Sequence, residues 1–384
     1  MMKILVVGGG TAGHISPVLA VIASIRKLSP DSDILFVCSG KDYELRLLKE
    51  ANISYKVIPS GKYRRYGRGG AREIADLKTQ LHNIKDISRV IKAYSLSRKI
   101  IKQFKPDVVF IKGGYVGLPV GLAAGRAKVP YVIHESDSIM GKTNRILSKH
   151  AKAVGVSFPT TLYPDIASSK LFFTGNPVRP EFTRLGPGRT RESSGQKPNI
   201  LVFAGSQGAA EINENIFNNL ELFTKNFNIM HIAGEQGEEK ARYMRHRLPA
   251  ELKKSYQPEG FLSKDMPAAY RWADVVVSRA GMNSLAELSA MSKPAIIIPL
   301  PTSTNDHQLK NAQYLSKHGA VRLLQQKDME GLGLINEISR LIGDKKSLAY
   351  ISDTIHKFFI PNSAEDLANI IVNTGKHSSP GAKA

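Results

Sequence analysis

The 384-residue chain is nearly free of cysteine, because Cys38, in the apolar run ILFVC, is the only one. A single cysteine cannot form a disulfide within the chain, which favours a reducing compartment. Long hydrophobic runs are also absent. No stretch approaches the roughly 18 apolar residues of a membrane-spanning helix, and the glycines at 8–10 interrupt the first apolar run too early for a secretory signal. We therefore expect a cytoplasmic protein with Cys38 buried in a core.

The sequence also lacks a cluster of metal ligands and the acidic residue of a dinucleotide-binding site. Groups of His, Cys, Asp and Glu at metal-ligand spacings are missing, and the Asp-Ser-Asp at 31–33 lies before a strand, away from the ligand edge of a sheet. We therefore predict no metal ion and no cofactor. The segment GGGTAGH matches G-x-G-x-x-G through Gly8, Gly10 and Gly13, but the next strand ends FVCSG, without the carboxylate that holds a dinucleotide ribose. A nicotinamide-dependent dehydrogenase is thereby disfavoured.

Positive charge is what the chain has in excess, with 54 Lys and Arg against 33 Asp and Glu. About half of the +21 excess falls in residues 62–112, which carry fourteen Lys or Arg and four Asp or Glu. This span begins with the loop GKYRRYGRGGAR, in which tyrosines interleave with basic residues. Such a loop can bind nucleic acid or the anionic inner leaflet of a membrane, and the plain alternative is a solvated basic face.

Short β-branched runs alternate with helix-periodic segments along the chain. The predicted strands of the first block are KILVV, DILFVC, DVVFI, YVIHE, AVGVS and LFFTG; those of the second are ILVFA, NIMHIAG, DVVVSRA and PAIIIPL. This alternation predicts an α/β protein with parallel, doubly wound sheets. After the strand ILVFA and its glycine-rich turn, we expect one helix that runs to about Phe223. The blocks are separated by GNPVRPEFTRLGPGRTRESSGQKPN. We expect two Rossmann-like domains, each with a glycine-rich turn after its first strand.

Polar residues follow the two glycine-rich turns. His14 ends GGGTAGH at a helix start, where the helix dipole tends to keep an imidazole neutral, so that it can act as a base near neutral pH. Ser206 lies in AGSQGAAEIN, where backbone N–H groups and a hydroxyl suit a phosphate. The alternative for His14 is a histidine that is hydrogen-bonded locally at the helix start. The alternative for Ser206 is an ordinary turn before a helix, with no bound phosphate.

Carboxylates and amides follow three other predicted strands, at the ends where open parallel sheets bind ligands. Glu135 can act as a base or accept a hydrogen bond from a sugar, or it can be an ordinary strand-end carboxylate. Glu287 follows the polar turn at 279–284 and can accept two ribose hydroxyls. The stretch NDHQ at 305–308 suits sugar hydroxyls, although its aspartate alone can cap the next helix.

Seven motifs, taken together and in order, resemble those of the MurG-type glycosyltransferases. They are GGGTAGHISP, GGYVGLP, HES-D with GKTNR, GNPVRP, GSQGAAEIN, SRAGMNSLAEL and NDHQLKNA. The resemblance implies a GT-B fold, with two Rossmann-like domains, an active site in the cleft between them and a C-terminal helix near 356–376 that returns to the first domain. It also implies transfer of N-acetylglucosamine (GlcNAc), with inversion, from UDP-GlcNAc to the C4 hydroxyl of undecaprenyl-pyrophosphoryl-MurNAc-pentapeptide, the lipid I to lipid II step of peptidoglycan synthesis.

The resemblance further implies which domain and which residues bind each substrate. Domain 1–180 would bind the acceptor and dock on the membrane, and domain 181–355 would bind UDP-GlcNAc. The implied substrate-binding residues are Thr11, Ala12, Gly13, Asp137, Arg179, Ser206, Leu262, Met282, Asn283, Ser284, Leu285, Ala286, Glu287 and Gln308.

Members of this set have different implied contacts. Arg179 and Ser206 would face the UDP diphosphate. The backbone at Leu262 would contact uracil, Glu287 would hold the ribose, and Gln308 would touch the GlcNAc hydroxyls. Residues 282–286 would supply amides near the donor.

Two positions depart from the family pattern. Ala12 stands where glycine is usual, in the segment 11–13 that would line the donor–acceptor junction. Asp137 stands where asparagine is usual. An ionised aspartate accepts hydrogen bonds but cannot donate them, which puts the sugar contact implied there in question.

A mechanism follows from the same resemblance. Helix N-terminal amides and Arg179 would stabilise the charge on the leaving UDP without a metal ion. The attacking C4 hydroxyl needs a base, for which His14 is the first candidate and Glu135 the second.

The basic loop would then bind anionic inner-leaflet lipid rather than nucleic acid. The residues assigned to this docking are Lys62, Arg64, Arg65 and Arg68. We therefore expect a peripheral protein on the cytoplasmic side of the inner or plasma membrane. The nearest rivals of the same fold are a UDP-GlcNAc 2-epimerase and a glycolipid synthase, and the rival of another class is a basic RNA-binding protein.

Overall fold

The computed structural model describes residues 1–9, 15–59, 77–187, 197–204, 210–262 and 264–377. The chain divides into two compact units. Unit 1 comprises Met1–Ser136, Met140–Pro177 and the chain from Asn362 onward, and unit 2 comprises Asp137–Ile139 and Val178–Pro361. Among the described residues, no helix is both long and apolar enough to cross a bilayer.

Unit 1 is built on a seven-stranded parallel sheet. Its strands are β1 (Lys3–Val7), β2 (Asp33–Cys38), β3 (Ser54–Val57), β4 (Val108–Ile111), β5 (Tyr131–Glu135), β6 (Ala153–Val156) and β7 (Leu171–Phe173). They lie in the order β3-β2-β1-β4-β5-β6-β7. The direction of progress reverses between β1 and β4, and such a switch point is where parallel sheets bind ligands, beyond the carboxyl ends of the strands.

The helices of unit 1 cover both faces of this sheet, which is why its central strands are apolar throughout rather than alternating. The first five are α1 (Ser16–Leu28), α2 (Asp42–Glu50), α3 (Leu77–Phe104), α4 (Gly114–Arg126) and α5 (Lys142–Ser148). Gly121 allows α4 to approach α5 closely, because a Cβ there would lie 2.6 Å from Leu147. Cys38 is buried in the core, as predicted, and burial raises the pKa of its thiol to about 11.

Unit 2 repeats the same plan with a six-stranded parallel sheet. Its strands are β8 (Asn199–Phe203), β9 (Asn228–Ile232), β10 (Tyr256–Glu259), β11 (Val275–Ser278), β12 (Ala295–Ile297) and β13 (Arg322–Leu323). They lie in the order β10-β9-β8-β11-β12-β13, so the switch point falls between β8 and β11.

Helices form a separate apolar cluster on each face of the second sheet. They are α6 (Pro180–Leu185), α7 (Ala210–Asn218), α8 (Leu220–Asn226), α9 (Glu238–Arg247), α10 (Met266–Trp272), α11 (Met282–Ala290), α12 (His307–Lys317), α13 (Gly333–Gly343) and α14 (Lys345–His356). The sequence predicted one helix from the second glycine-rich turn to about Phe223. That prediction was wrong, because the helix is interrupted at Asn219, whose side chain donates to the carbonyls of Asn215 and Gly331.

The last helix, α15 (Ser363–Lys376), lies in unit 1 although it follows unit 2 in the chain. It packs on α1 and against β4 and β5. Leu367 and Ile371 are among its fully buried residues. The approach is close at Gly155 of β6, where a Cβ would lie 2.6 Å from Leu367.

Candidate active site

Glu287 of unit 2 sits in a small network of charged and aromatic side chains. Arg179, which precedes α6, places Nη2 3.6 Å from Oε1 of Glu287. The Tyr270 hydroxyl donates to Oε2 at 3.2 Å. Burial raises the pKa of Glu287 to about 7, and the Arg179 charge and the Tyr270 hydrogen bond oppose that rise. The residue predicted to face the diphosphate and the one predicted to hold the ribose are therefore direct neighbours.

Tyr270 is a member of this network that the sequence did not indicate. Its ring is fully buried and meets Phe182 and Phe203 edge-on, with centroids 5.5 and 5.7 Å away. Burial raises the pKa of its hydroxyl, with the Glu287 charge adding to the rise, so the group stays protonated and donates. In the sequence, Tyr270 looks like any aromatic on the apolar side of a helix, and only tertiary packing brings it to Glu287.

Arg279, directly after β11, holds three segments of unit 2 together. Its side chain is 3% exposed. Nη1 donates to the carbonyls of Ile298 and Pro299 after β12, and Nη2 donates to Glu211 in the first turn of α7 at 3.1 Å. Burial lowers the pKa of the guanidinium, and the Glu211 charge opposes this. The polar turn at 279–284 was recognised in the sequence, but this role of its first residue was not.

The predicted donor contacts at 282–286 divide into two groups. Met282, Asn283 and Ser284 form the half-buried first turn of α11. The first N–H groups of a helix have no partner within the helix itself, and helix N-termini of this kind can bind anionic groups. Leu285 and Ala286 point into the core, so only their backbone can contribute to a site.

The NDHQ stretch forms a left-handed turn before α12. Asn305 and Asp306 both have positive φ, at 56° and 55°. Asn and Asp adopt this conformation more readily than other non-glycine residues. The Asp306 side chain makes no capping hydrogen bond, so the capping alternative is wrong. Gln308 accepts from Leu300 N through Oε1 at 3.0 Å. This bond fixes the orientation of the amide and leaves the donor atom, Nε2, on the side away from Leu300.

Asp137, one of the two residues that depart from the family pattern, belongs to unit 2 and contacts α12. Asn311 donates from Nδ2 to Oδ1 of Asp137 at 2.8 Å. The Asn311 oxygen accepts from both N and Oγ of Ser138, so its amide orientation is fixed and Nδ2 must face Asp137. An acceptor is what this position requires, and a carboxylate satisfies it. Leu262, after β10, is half-buried against the core.

Glu135 of unit 1 ends β5 and is 4% exposed. Its Oε2 accepts from Gly141 N and from Asn144 Nδ2, both at 2.9 Å. The Asn144 amide also donates to the carbonyl of His134. These bonds fix the turn that leads into α5, which is the behaviour of a structural strand-end carboxylate. Its action as a base stays a prediction.

A buried ammonium group connects the strand ends of unit 1. Lys112 Nζ donates to His134 Nδ1, to Ser136 Oγ at 2.6 Å and to Asn176 Oδ1 at 2.8 Å. His134 Nε2 in turn donates to the carbonyl of Gly175. Burial, followed by the Lys112 charge, lowers the pKa of His134 well below its usual value, so the imidazole is neutral. Neither residue was singled out from the sequence.

The first glycine-rich turn begins against a carboxylate. Glu44 of α2 is fully buried and accepts from the N–H groups of Ser39 and Gly40 at 2.9 Å each. Gly9 has φ +125°, and a Cβ on it would lie 2.8 Å from Oε1 of Glu44. The second strand thus has a carboxylate at its tip after all, contributed by the next helix. Because this carboxylate is directed at backbone amides, it is unlike the exposed acid that binds a dinucleotide ribose.

Several predicted residues lie outside the described part of the chain. They are Thr11, Ala12, Gly13, His14, Lys62, Arg64, Arg65, Arg68 and Ser206. Within the described part, no group of three or more His, Cys, Asp and Glu is placed to hold a metal ion.

Two parallel α/β units, each with polar side chains at the carboxyl ends of its strands, are the architecture of the GT-B fold that the sequence predicted, and the family matches assign the chain to the glycosyltransferases of this fold. Residues 4–156 match the glycosyltransferase family 28 N-terminal domain, and residues 199–367 match the family 28 C-terminal domain. The chain belongs, within that class, to the family of UDP-N-acetylglucosamine–N-acetylmuramyl-(pentapeptide) pyrophosphoryl-undecaprenol N-acetylglucosamine transferases. This assignment confirms the resemblance found in the sequence.

The relatives that carry this name match the chain over nearly its whole length. The transferase of Bacillus pumilus is 33% identical, covering 96% of this chain and 98% of its own. That of Pediococcus pentosaceus is 33% identical, covering 98% and 100%. Among solved structures, MurG of Acinetobacter baumannii has a TM-score of 0.71 at 25% identity, over 97% of this chain and all of its own.

The UDP-GlcNAc 2-epimerases, one of the alternatives of the same fold considered from the sequence, are similar to this chain in fold alone. A UDP-GlcNAc 2-epimerase from Neisseria meningitidis, bound to UDP-GlcNAc, has a TM-score of 0.65 at 15% identity, covering 97% of this chain and 100% of its own.

Proposed function

We propose that this protein transfers GlcNAc from UDP-GlcNAc to the C4 hydroxyl of undecaprenyl-pyrophosphoryl-MurNAc-pentapeptide, with inversion at the anomeric carbon. The observation that carries this proposal is the match, at 33% identity and almost end to end, to transferases of that name. The Arg179–Glu287–Tyr270 network adds chemical support, because it presents a ribose acceptor beside a cation suited to a diphosphate.

Unit 2, corresponding to the proposed domain 181–355, binds the donor. Glu287 accepts the two ribose hydroxyls, and the Leu262 backbone contacts uracil. When the bond between GlcNAc and phosphate breaks, negative charge grows on UDP. The first-turn amides of α11 and the Arg179 guanidinium lie in unit 2 to stabilise that charge without a metal ion.

Unit 1, corresponding to the proposed domain 1–180 with the C-terminal helix, binds the acceptor. The attacking hydroxyl must lose its proton. We assign that proton to His14, because Glu135 already uses an oxygen to accept from Gly141 and Asn144 and would weaken the turn into α5 on protonation.

The acceptor carries a polyprenyl chain, so the protein must work at a membrane surface. The proposed docking element is the basic loop, through Lys62, Arg64, Arg65 and Arg68, on the anionic lipid of the cytoplasmic leaflet. Each basic residue near such a surface contributes on the order of 1 kcal/mol. Binding that ignores both anionic lipid content and salt would exclude this role.

The deciding experiment mixes the purified protein with radiolabelled UDP-GlcNAc and a short-chain lipid-linked muramyl-pentapeptide. We expect label in the lipid fraction that depends on the acceptor, with one UDP released per transfer. UDP-GlcNAc binding without transfer would point to another acceptor. Conversion of UDP-GlcNAc to its 2-epimer without any acceptor would support the epimerase instead.

A further inference from the structure

A basic pocket lies along the edge strand of unit 2. The pocket is half open to solvent, has a volume of about 370 Å³, and is lined by Arg242, Arg245 and His246 of α9, by Lys254 and by strand β10. The last turn of α9 and the start of β10 lie at the end of the sheet where strands begin. Arg279, Glu287 and Gln308 follow the carboxyl ends of strands, at the opposite edge. The pocket is therefore separate from these three residues of the proposed donor site, although its lining ends at Glu259, three residues before Leu262.

Arg245 is held in place by the protein backbone. Its Nε donates to the carbonyl oxygens of Lys253 and Tyr256, at 3.2 and 3.0 Å. Ordering an arginine side chain costs conformational entropy, and the two bonds to the backbone already restrict Arg245 before any ligand binds. In the described part of the chain, the two terminal nitrogens of Arg245 have no hydrogen-bond partner. A fixed guanidinium with unused donors is suited to an oxyanion.

The charged side chains around the pocket leave it with a net positive charge. Glu238 is engaged by Arg242, through bonds of 2.9 and 2.7 Å to one oxygen. Glu259, the carboxylate on β10, accepts from Gln257 at 3.1 Å. Neither Arg245 nor Lys254 has a carboxylate partner among the described residues. The bond from the neutral Gln257 amide leaves the negative charge of Glu259 in place, so this carboxylate offsets part of the charge of Arg245 and Lys254, and the pocket stays net positive.

The edge strand itself does not favour a peptide partner. An extended peptide could add to β10, which pairs only with β9 in the sheet. Pro258 lies in the middle of this short strand and has no N–H to offer. Prolines on edge strands are a common device against strand addition. Recognition at this pocket must therefore come from its side chains.

We propose that the basic pocket binds a phosphate group, held by Arg245 and Lys254. Two sources offer the same chemistry: the headgroup of an anionic lipid, and a soluble phosphate compound. Tyr243 lies on the same helix as Arg242 and Arg245, is 57% accessible, and has its ring 6.0 Å from the Arg247 guanidinium. An exposed aromatic ring near basic side chains is consistent with the lipid source. The proposal concerns neither the donor nor the acceptor and does not depend on the transfer reaction.

The test uses the full chain with saturating UDP, so that the donor site is occupied. One arm titrates inorganic phosphate by calorimetry. The other measures sedimentation with phosphatidylglycerol vesicles, using phosphatidylcholine vesicles as the reference. We expect Lys254→Ala and Arg245→Ala each to weaken binding about tenfold in at least one arm, since each loses a charge-assisted hydrogen bond.

The matched control is Lys346→Ala, which removes one exposed positive charge from α14 of the same unit. Arg245→Ala also removes two bonds to the backbone, so Lys254→Ala, which removes none, decides the case if the first variant is unstable. Because the basic loop is also proposed to bind anionic lipid, the loss caused by the variants, and not vesicle binding itself, reports on the pocket. A loss with Lys254→Ala in the vesicle arm alone assigns the lipid source, and a loss in the phosphate arm assigns a soluble ligand. Binding that Lys254→Ala leaves unchanged in both arms, absence of binding in both arms, or an equal loss with Lys346→Ala overturns the proposal.

Discussion

The two units share a strand order but differ in the charge placed near their glycine-rich turns. In unit 1, the buried carboxylate of Glu44 lies against Gly9, where the first turn begins. In unit 2, the buried guanidinium of Arg279 joins the start of α7, the helix that follows the second turn. Because Glu211 pairs with this guanidinium, the start of α7 carries an ion pair rather than an excess of negative charge, and an anionic nucleotide diphosphate meets less repulsion there.

The same contrast extends to the other strand ends. Unit 1 buries an ammonium, Lys112, among neutral acceptors, and the result is a set of strand ends fixed to one another. In unit 2, Arg179 and Glu287 are half-buried and 3.6 Å apart. A ligand that reaches this pair can take the place of one side chain as the partner of the other. The shared topology thus gives both sheets a ligand-binding edge at the carboxyl ends of their strands. The charged side chains at each edge decide what that edge can bind. Five variants would break or sharpen this comparison.

The largest expected effect tests whether the catalytic base and the donor-binding residues belong to different units. His14→Ala should lower kcat by about 100-fold or more, because a general base contributes that much to proton transfer. UDP-GlcNAc affinity should stay unchanged, since the donor is bound by unit 2. Turnover measured with the lipid-linked acceptor, beside a UDP-GlcNAc titration, tests both points. Near-normal turnover would move the base to Glu135, and Glu135→Gln should then show the loss.

Arg279→Ala should destabilise unit 2 by roughly 2 to 3 kcal/mol, because three acceptors lose a charged donor. Trp272, the single tryptophan, lies in α10 of unit 2, so its fluorescence during denaturant unfolding reports on that unit. The control is Lys225→Ala, which breaks an exposed pair with Glu221 and should cost less than about 1 kcal/mol. Equal losses in the two variants would contradict the joining role of Arg279.

Glu44→Gln makes the corresponding test in unit 1. The neutral side chain keeps one acceptor oxygen but loses the charge that several N–H groups share, at an expected cost of about 1 to 2 kcal/mol. Hydrogen exchange of the amides of Ser39 and Gly40 should accelerate about tenfold. The unfolding transition of Trp272 should not move. If exchange at these two amides is unchanged, the carboxylate does not hold the turn.

The raised pKa of Glu287, about 7, predicts a pH-dependent donor affinity. If the ribose is held by the ionised carboxylate, the protonated form must lose its proton on binding, so affinity rises with pH through 7. Between pH 6 and 8 the increase should be about tenfold. UDP-GlcNAc is the right probe because it has no phosphate group that titrates in this range. Glu287→Gln should bind weakly and give a flat profile.

The smallest effect is expected for Asp137→Asn. The Asn311 amide needs only an acceptor at this position, and an asparagine oxygen supplies one. Stability, followed by Trp272 fluorescence, should change by less than about 0.5 kcal/mol, as for substitutions that break no buried contact. A loss comparable to that of Arg279→Ala would mean that the carboxylate charge matters beyond its bond to Asn311.

Much of the fold was readable from the sequence, because buried parallel strands are continuous apolar runs with helices between them. The break at Asn219 was missed, since it comes from a contact with Gly331, more than a hundred residues away. The motifs placed Arg179 and Glu287 in the site, but Tyr270 was not predicted because a core aromatic in a helix carries no sign of its partner.

The sequence by itself determined that this chain makes two parallel α/β units and that polar residues gather at their strand ends, since periodicity and glycine-rich turns are local properties. Only the tertiary structure decided that Glu44 closes against Gly9, that Arg279 joins three segments, and that Arg179 and Glu287 are neighbours. Such pairings depend on how distant strand ends meet at one edge of a sheet. The charges that assign each unit its ligand therefore become visible only in the folded chain.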